Sequence, residues 1–252
     1  MSSAPNRFIR HDLMCTDVPA GVRFYCGLFG WKTTEVKFMG STIHRLLVGE
    51  RILGAIIPFD RNLGHPSHWV PYVFVESVDE CCKRVRALGG QVCMGATDFP
   101  PGTFAMVNDP QKALFSPFTP KTGAPTEPPA APGVGEFCWD ELLTNDVAAA
   151  RAFYQSLFDW GSSDWNMGPE GTYTLFTVGD TPVAGMMKLP EGAPQPPNWL
   201  PYVAVEDADA TVQKACELGG QVAWPPTDIP DVGRIAALLD STGGHIAILK
   251  RK

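Results

Sequence analysis

Apolar residues recur along this chain with two different periods. Phe8–Cys15 is a strand-length run that ends just before Asp17, a good N-capping residue, and Pro19 in a first helical turn. Val18, Val22, Tyr25 and Phe29 follow at helical spacing as one apolar stripe, which Gly30 closes. Two β-rich runs come next, STIHRLLVG from Ser41 and ILGAIIP from Ile52. The pattern then restarts: PYVFVES is a strand, and Val78, Cys82, Val85 and Leu88 mark a second amphipathic helix stopped by Gly89-Gly90. QVCMG, TFAMVND and ALFSPF supply further strands. A strand, a helix and three strands, twice over, is the expected build of this half.

The other half repeats it. FYCGLFGW at Phe24–Trp31 returns as FYQSLFDW at Phe153–Trp160, with Phe, Tyr, Leu, Phe and Trp in the same places. A shift of 129 residues carries Phe24 onto Phe153 and Asp17 onto Asp146. A shift of 130 carries Trp69 onto Trp199, Tyr72 onto Tyr202, LGGQV at Leu88 onto LGGQV at Leu218, and TDFP at Thr97 onto TDIP at Thr227. Near the end Asp109 falls on Asp240. So small a drift in register signals duplication of a whole domain. The last helix of the second copy carries its stripe on Ala208, Val212, Ala215 and Leu218.

TPKTGAPTEPPAAPGVG, residues 119–135, is too rich in Pro and Gly to hold a helix and reads as a semi-extended linker. The expected organisation is therefore domain 1 at 5–118, the linker at 119–135 and domain 2 at 136–250.

Composition narrows the function classes. Hydrophobic residues make up 44% of the 252 and charged ones 19%, enough apolar material for two cores. The net charge is −7, and the short Lys250-Arg251-Lys252 run reads as a solvated tail, so no nucleic-acid partner is expected. Met1-Ser-Ser-Ala-Pro-Asn-Arg lacks the apolar core of a secretory signal, and no stretch approaches the ~18 apolar residues of a membrane helix. Seven cysteines without CxxC spacing fit reduced, mostly buried thiols, and the expected location is the cytoplasm. The vicinal Cys81-Cys82 pair reads as packing.

With these elements in order, the chain resembles the vicinal oxygen chelate superfamily of glyoxalases, bleomycin-resistance proteins and extradiol dioxygenases. The residues that carry the resemblance are the helix from Asp17 through FYCGLFGW, PYVAVEDADA before the last helix, LGGQV after it, and DSTGGHIAIL near the end. It is nearest to two-domain glyoxalase-like proteins of the type labelled hydroxylases. The resemblance implies an α+β fold of tandem domains, each of two βαβββ units forming a cupped mixed sheet with helices outside and a small-molecule site on the concave side.

In metal-using relatives one ligand stands on the first strand, seven residues before the helix-capping Asp. A second opens the strand before the second helix, and a Glu sits on the last strand. Here those places hold Arg10 and Trp139, about Val70 and Leu200, and about Ser116 and Ala247. None suits a divalent ion, which needs imidazole or hard oxygen donors. No metal and no other cofactor is expected, a divalent metal being the alternative. That alternative would need a slipped register bringing His68 and another histidine together. Of the others in domain 1, His11 points away from the face of Arg10, and His65 lies in the loop LGHPSH. Those histidines read as surface or loop groups, and His245 as structural.

Strand alternation places Arg10, Asp12 and Met14 on one cup and Trp139, Glu141 and Leu143 on the other, with Tyr72 and Tyr202 facing in from the fifth strands. Arg10 should hold Asp12 ionised as an internal salt bridge. Glu141, read as a lone carboxylate beside an indole, has its charged form disfavoured by desolvation, which moves it toward general acid–base use. Glu141 is thus the candidate catalytic residue, and Arg10, Asp12, Tyr72, Trp139 and Tyr202 are candidate substrate-binding residues. Trp69 and Trp199 either close the core or touch ligand. Three functions compete: a metal-free enzyme performing proton transfer, isomerisation or hydroxylation-type chemistry on a small organic molecule; a sequestering protein of the resistance type; and a metal-dependent glyoxalase or dioxygenase. The expected assembly is a monomer or homodimer.

Overall fold

The computed structural model describes residues 6–38, 40–122, 132–167, 171–193 and 195–252. Residue 5, where the first domain is expected to begin, and residues 123–131 of the expected linker lie outside them. The first copy runs β1 (Phe8–Cys15), α1 (Val18–Phe29), β2 (Lys32–Phe38), β3 (Ser41–Val48), β4 (Arg51–Pro58), β5 (His68–Phe74), α2 (Val78–Ala87), β6 (Gln91–Phe99), β7 (Gly102–Asn108) and β8 (Leu114–Pro120). The second runs β9 (Phe137–Thr144), α3 (Val147–Phe158), β10 (Gly161–Asn166), β11 (Thr172–Val178), β12 (Thr181–Lys188), β13 (Asn198–Ala204), α4 (Ala208–Glu217), β14 (Gln221–Ile229), β15 (Gly233–Leu239) and β16 (His245–Arg251). The class is α+β. Each copy forms an eight-stranded mixed sheet, in the orders β2-β3-β4-β1-β5-β8-β7-β6 and β10-β11-β12-β9-β13-β16-β15-β14. The β1–β4 and β5–β8 pairs are parallel, and the hairpins between them are antiparallel.

Local chemistry accounts for the helix starts. Asp17 and Asp146 each accept the N–H three residues on, from Ala20 and Ala149, both at 3.0 Å. The buried stripe of α1 is Gly21, Phe24, Tyr25 and Leu28, rotated from the apolar spacing of Val18, Val22, Tyr25 and Phe29. Gly21 explains the rotation. A β-carbon there would lie 2.8 Å from the Cys15 sulfur, so the helix seats its smallest residue against β1. Cys81 and Cys82 are both buried, and burial pushes the Cys81 thiol up to about 12, which leaves it an inert packing group.

The cores do not follow the copies. Among the described residues, one compact unit joins 6–9, 71–122 and 139–199, and the other joins 10–70, 132–138 and 200–252. In the first, Val73, Val85 and Phe115 pack with Leu142, Phe153, Tyr154 and Trp199. In the second, Leu13, Phe24, Tyr25 and Trp69 pack with Val203, Leu238 and Ile246.

This crossing explains why the chain spells FYxxLFxW twice. Tyr25 of the first copy donates to Asp240 of the second at 2.7 Å, and Tyr154 of the second donates to Asp109 of the first at 3.2 Å. Trp69 and Trp199 donate to these phenols at 2.9 and 3.0 Å, so both indoles close cores. Trp31 reaches the carbonyl of Gly135 at 2.6 Å, and Trp160 that of Asn6 at 2.8 Å. Gly135 (φ 82°) and Asn6 (φ 70°) are matching left-handed positions just before β9 and β1, where Gly and Asn are best tolerated.

Asp109 is 2% exposed, and burial is the main reason its carboxyl sits above the usual range, opposed by the N–H groups of Ala113 and Gln111. A raised folded-state value favours folding fully below the unfolded range, about 3.9, and that benefit is lost as pH rises through the folded value. In Asp109→Asn, unfolding titrations between about pH 4 and pH 7 should therefore show a flatter fall of stability with pH than the native chain. An identical slope would mean that Asp109 titrates alike in both states.

Candidate functional site

On β1, Leu13 and Cys15 face the helix-packed core, so Arg10, Asp12 and Met14 lie on the opposite, helix-free face. On β9, Leu142 faces the core, so Trp139, Glu141 and Leu143 lie on the helix-free face. Val73 and Val203 are core residues, which puts Tyr72 and Tyr202 on helix-free faces as well.

The two first strands satisfy their buried carboxylates differently. Asp12 is 1% exposed and receives the Arg10 guanidinium at 2.8 Å and the Ala55 N–H at 2.7 Å, both on Oδ1. Glu141 is 7% exposed and pairs in register with Gly185 on β12. A phenol from the strand beyond β12 reaches it: Tyr173 on β11 hydrogen-bonds the Glu141 carboxylate and accepts the Trp139 indole N–H at 2.8 Å. Gly185 makes this possible, because a β-carbon there would sit 1.7 Å from the phenol oxygen. In the first copy Ala55 and Ile43 hold the places of Gly185 and Tyr173.

Glu141 is therefore not a lone carboxylate beside an indole. Its hydrogen-bonded phenol comes from Tyr173, a residue that strand alternation on β9 alone could not find. The available signal was Gly185, an isolated glycine inside a strand, which marks close approach by a neighbour. Burial, then the negative charge of Glu141, pushes the Tyr173 phenol well above its ordinary value, so it stays protonated and donating.

Of the other sequence candidates, Arg10 and Asp12 pair with each other on the first sheet. Tyr72 packs on Phe104 and Phe118, with ring centroids 6.2 and 6.0 Å away, and Phe99 completes the cluster. Tyr202 is buried and pairs in register with Ala247, as Tyr72 does with Ser116. The residues at the metal-ligand places do not fit a divalent ion: Arg10 is cationic and salt-bridged, Trp139 spends its N–H on Tyr173, and Ala247 has no donor atom. Among the described residues, no three His, Cys, Asp or Glu side chains gather to hold a metal. His11 stacks on Phe137 at 4.0 Å on the core side, and His68 lies against the Pro66 carbonyl and Phe59. Among the described residues no helix is long and apolar enough to cross a membrane.

Comparison with known proteins agrees with this architecture. Residues 7–116 and 137–248 each match the family described as glyoxalase/bleomycin resistance protein/dioxygenase superfamily. The chain is 34% identical over 245 residues to "Putative glyoxylase CFP32" of Mycobacterium tuberculosis, covering 95% of this chain and 92% of that protein. It is also 34% identical over 264 residues to anthracycline biosynthesis protein DnrV of Streptomyces peucetius, covering 98% and 94%. Its fold is similar to the Mn(II)-bound glyoxalase of Novosphingobium aromaticivorans, with a TM-score of 0.68 and 14% identity over 99% of this chain and 83% of that one. Two βαβββ pairs, duplicated in sequence and matched over both copies, leave one assignment: the chain belongs to the glyoxalase/bleomycin resistance protein/dioxygenase superfamily.

Proposed function

We propose that this protein is a metal-independent enzyme that binds a small organic molecule on the helix-free face of the second sheet and moves a proton with Glu141. The observation that carries the reading is the Trp139–Tyr173–Glu141 arrangement. It places a buried carboxylate among aromatic groups, where a ligand O–H, N–H or activated C–H can give up a proton to it. Trp139 supplies a half-buried ring against which a flat ligand can pack. The salt-bridged Arg10–Asp12 pair gives the first sheet a structural role in this reading. The names of the two relatives, a glyoxylase and an anthracycline biosynthesis protein, support small organic substrates.

The test is native mass spectrometry of freshly purified protein, with Trp fluorescence titration of any small molecule recovered from it. Binding should be the same before and after exhaustive chelation, and weaker in Trp139→Ala. Loss of binding on chelation, restored by a stoichiometric divalent ion, would replace this reading with a metal-dependent one. One observation favours a second reading: Glu141 already holds a phenol donor, as a ligand-anchoring carboxylate in a sequestering protein would. Recovery of a tightly held molecule that is never converted would select it.

A further inference from the structure

Tyr173 belongs to no feature that the duplication explains, since the first copy has Ile43 in its place. Three features converge on its hydroxyl. Its oxygen sits where Gly185 leaves no side chain, it accepts the Trp139 N–H at 2.8 Å, and its proton goes to Glu141. A phenol fixed by an indole donor on one side can point its own hydrogen only elsewhere, and here it points to the carboxylate.

We propose that Tyr173 is the positioning residue of this site, holding Glu141 ionised and in one orientation so that the carboxylate meets a ligand as a base or an anionic anchor. This rests on the reading of Glu141 as the ligand-facing group. A donated hydrogen bond stabilises a charged carboxylate over a neutral one, and it is stronger than a neutral pair where water is excluded. Because burial and Glu141 keep the phenol protonated, it does not exchange roles with the carboxylate. Alternation leaves Tyr173 and Tyr202 as the titratable groups sharing this face with Glu141 on β10 to β13; the carboxylates and cations elsewhere on these strands, Asp164 and Lys188, lie on the other face or at a strand end. Asp164 is engaged by Arg151 of α3.

The experiment is a pH titration of the Glu141 carboxylate by carbon-13 NMR of Glu-labelled protein, the signal being the one that Glu141→Gln removes. In Tyr173→Phe the titration midpoint should rise by about one unit, a ~10-fold change in its protonation equilibrium, with the ring still packed over Gly185. Gly185→Ala expels the phenol by a different route and should give a shift in the same direction. A midpoint unchanged in both variants would overturn the proposal. The outcome is separable from the proposed function: a shifted midpoint with ligand binding indifferent to Glu141→Gln would keep the Tyr173–Glu141 coupling and reject Glu141 as the ligand-facing group.

Discussion

Glu141→Gln should lower turnover by ~10²–10⁴-fold while ligand binding survives, the range expected when a general base is removed. Gln keeps the length of the side chain and an oxygen that can still accept from Tyr173, so packing over Gly185 is preserved. What it loses is the negative charge and the place for a proton. Stopped-flow or steady-state assays on the recovered ligand would show a fall in kcat larger than any change in KM, since the lost interaction forms in the transition state. Equal turnover in the two proteins would remove Glu141 from the chemistry. Asp12→Asn on the first sheet is the internal control. It disturbs a salt-bridged pair that the proposed reaction does not use, and turnover should follow only any loss of folded protein.

The largest effect on folding is expected at Gly54. It pairs with His11 across the parallel β1–β4 ladder, and a β-carbon there would lie 1.6 Å from the His11 carbonyl oxygen and 2.6 Å from its carbon. The obstacle is backbone, not a side chain that can swing aside. Any residue larger than glycine must push β1 off β4, breaking the Ala55–Asp12 bond and opening the core around Leu13. Gly54→Ala should cost more than ~4 kcal/mol, among the largest effects of single substitutions, and leave little soluble protein. Gly49→Ala is the comparison. Gly49 has a positive φ of 57° but open space around it, so alanine there should cost only ~1 kcal/mol. Similar denaturation midpoints for the two variants would show that β1 can move away at little cost.

Much of the fold is legible in the sequence because it is written in local rules. Asp17 and Asp146 announce their helices through capping chemistry, and LGGQV marks where each second helix must stop. The strands β2 and β10 are harder to see. They are sheet edges with mostly exposed residues, so KTTEVKF and GSSDWN lack the apolar alternation that a half-buried strand displays. Periodicity shows which face of α1 is apolar but not what it meets. The partner of Tyr25 is Asp240, 215 residues away, and nothing near either residue encodes that distance. The carboxylates of the first strands are legible from parity alone. The phenol on Glu141 is not, because Tyr173 reaches it from a strand that is not its neighbour, across the gap at Gly185.

The crossing of the cores has a consequence for how such a chain can change over generations. Phe24 and Ile246 share one core, and Phe115 and Tyr154 the other, so a volume change in either copy must be answered in its twin. Within each interior the two copies are bound to vary together. The helix-free faces carry no such obligation: Arg10 and Asp12 stand where the twin has Trp139 and Glu141, and Ile43 where it has Tyr173. One face can therefore stay chemically quiet as a scaffold while the other explores new ligands through residues that no core depends on. Exchange of ligand preference between relatives should then require substitutions only at the helix-free positions of β9 and of β11 to β13.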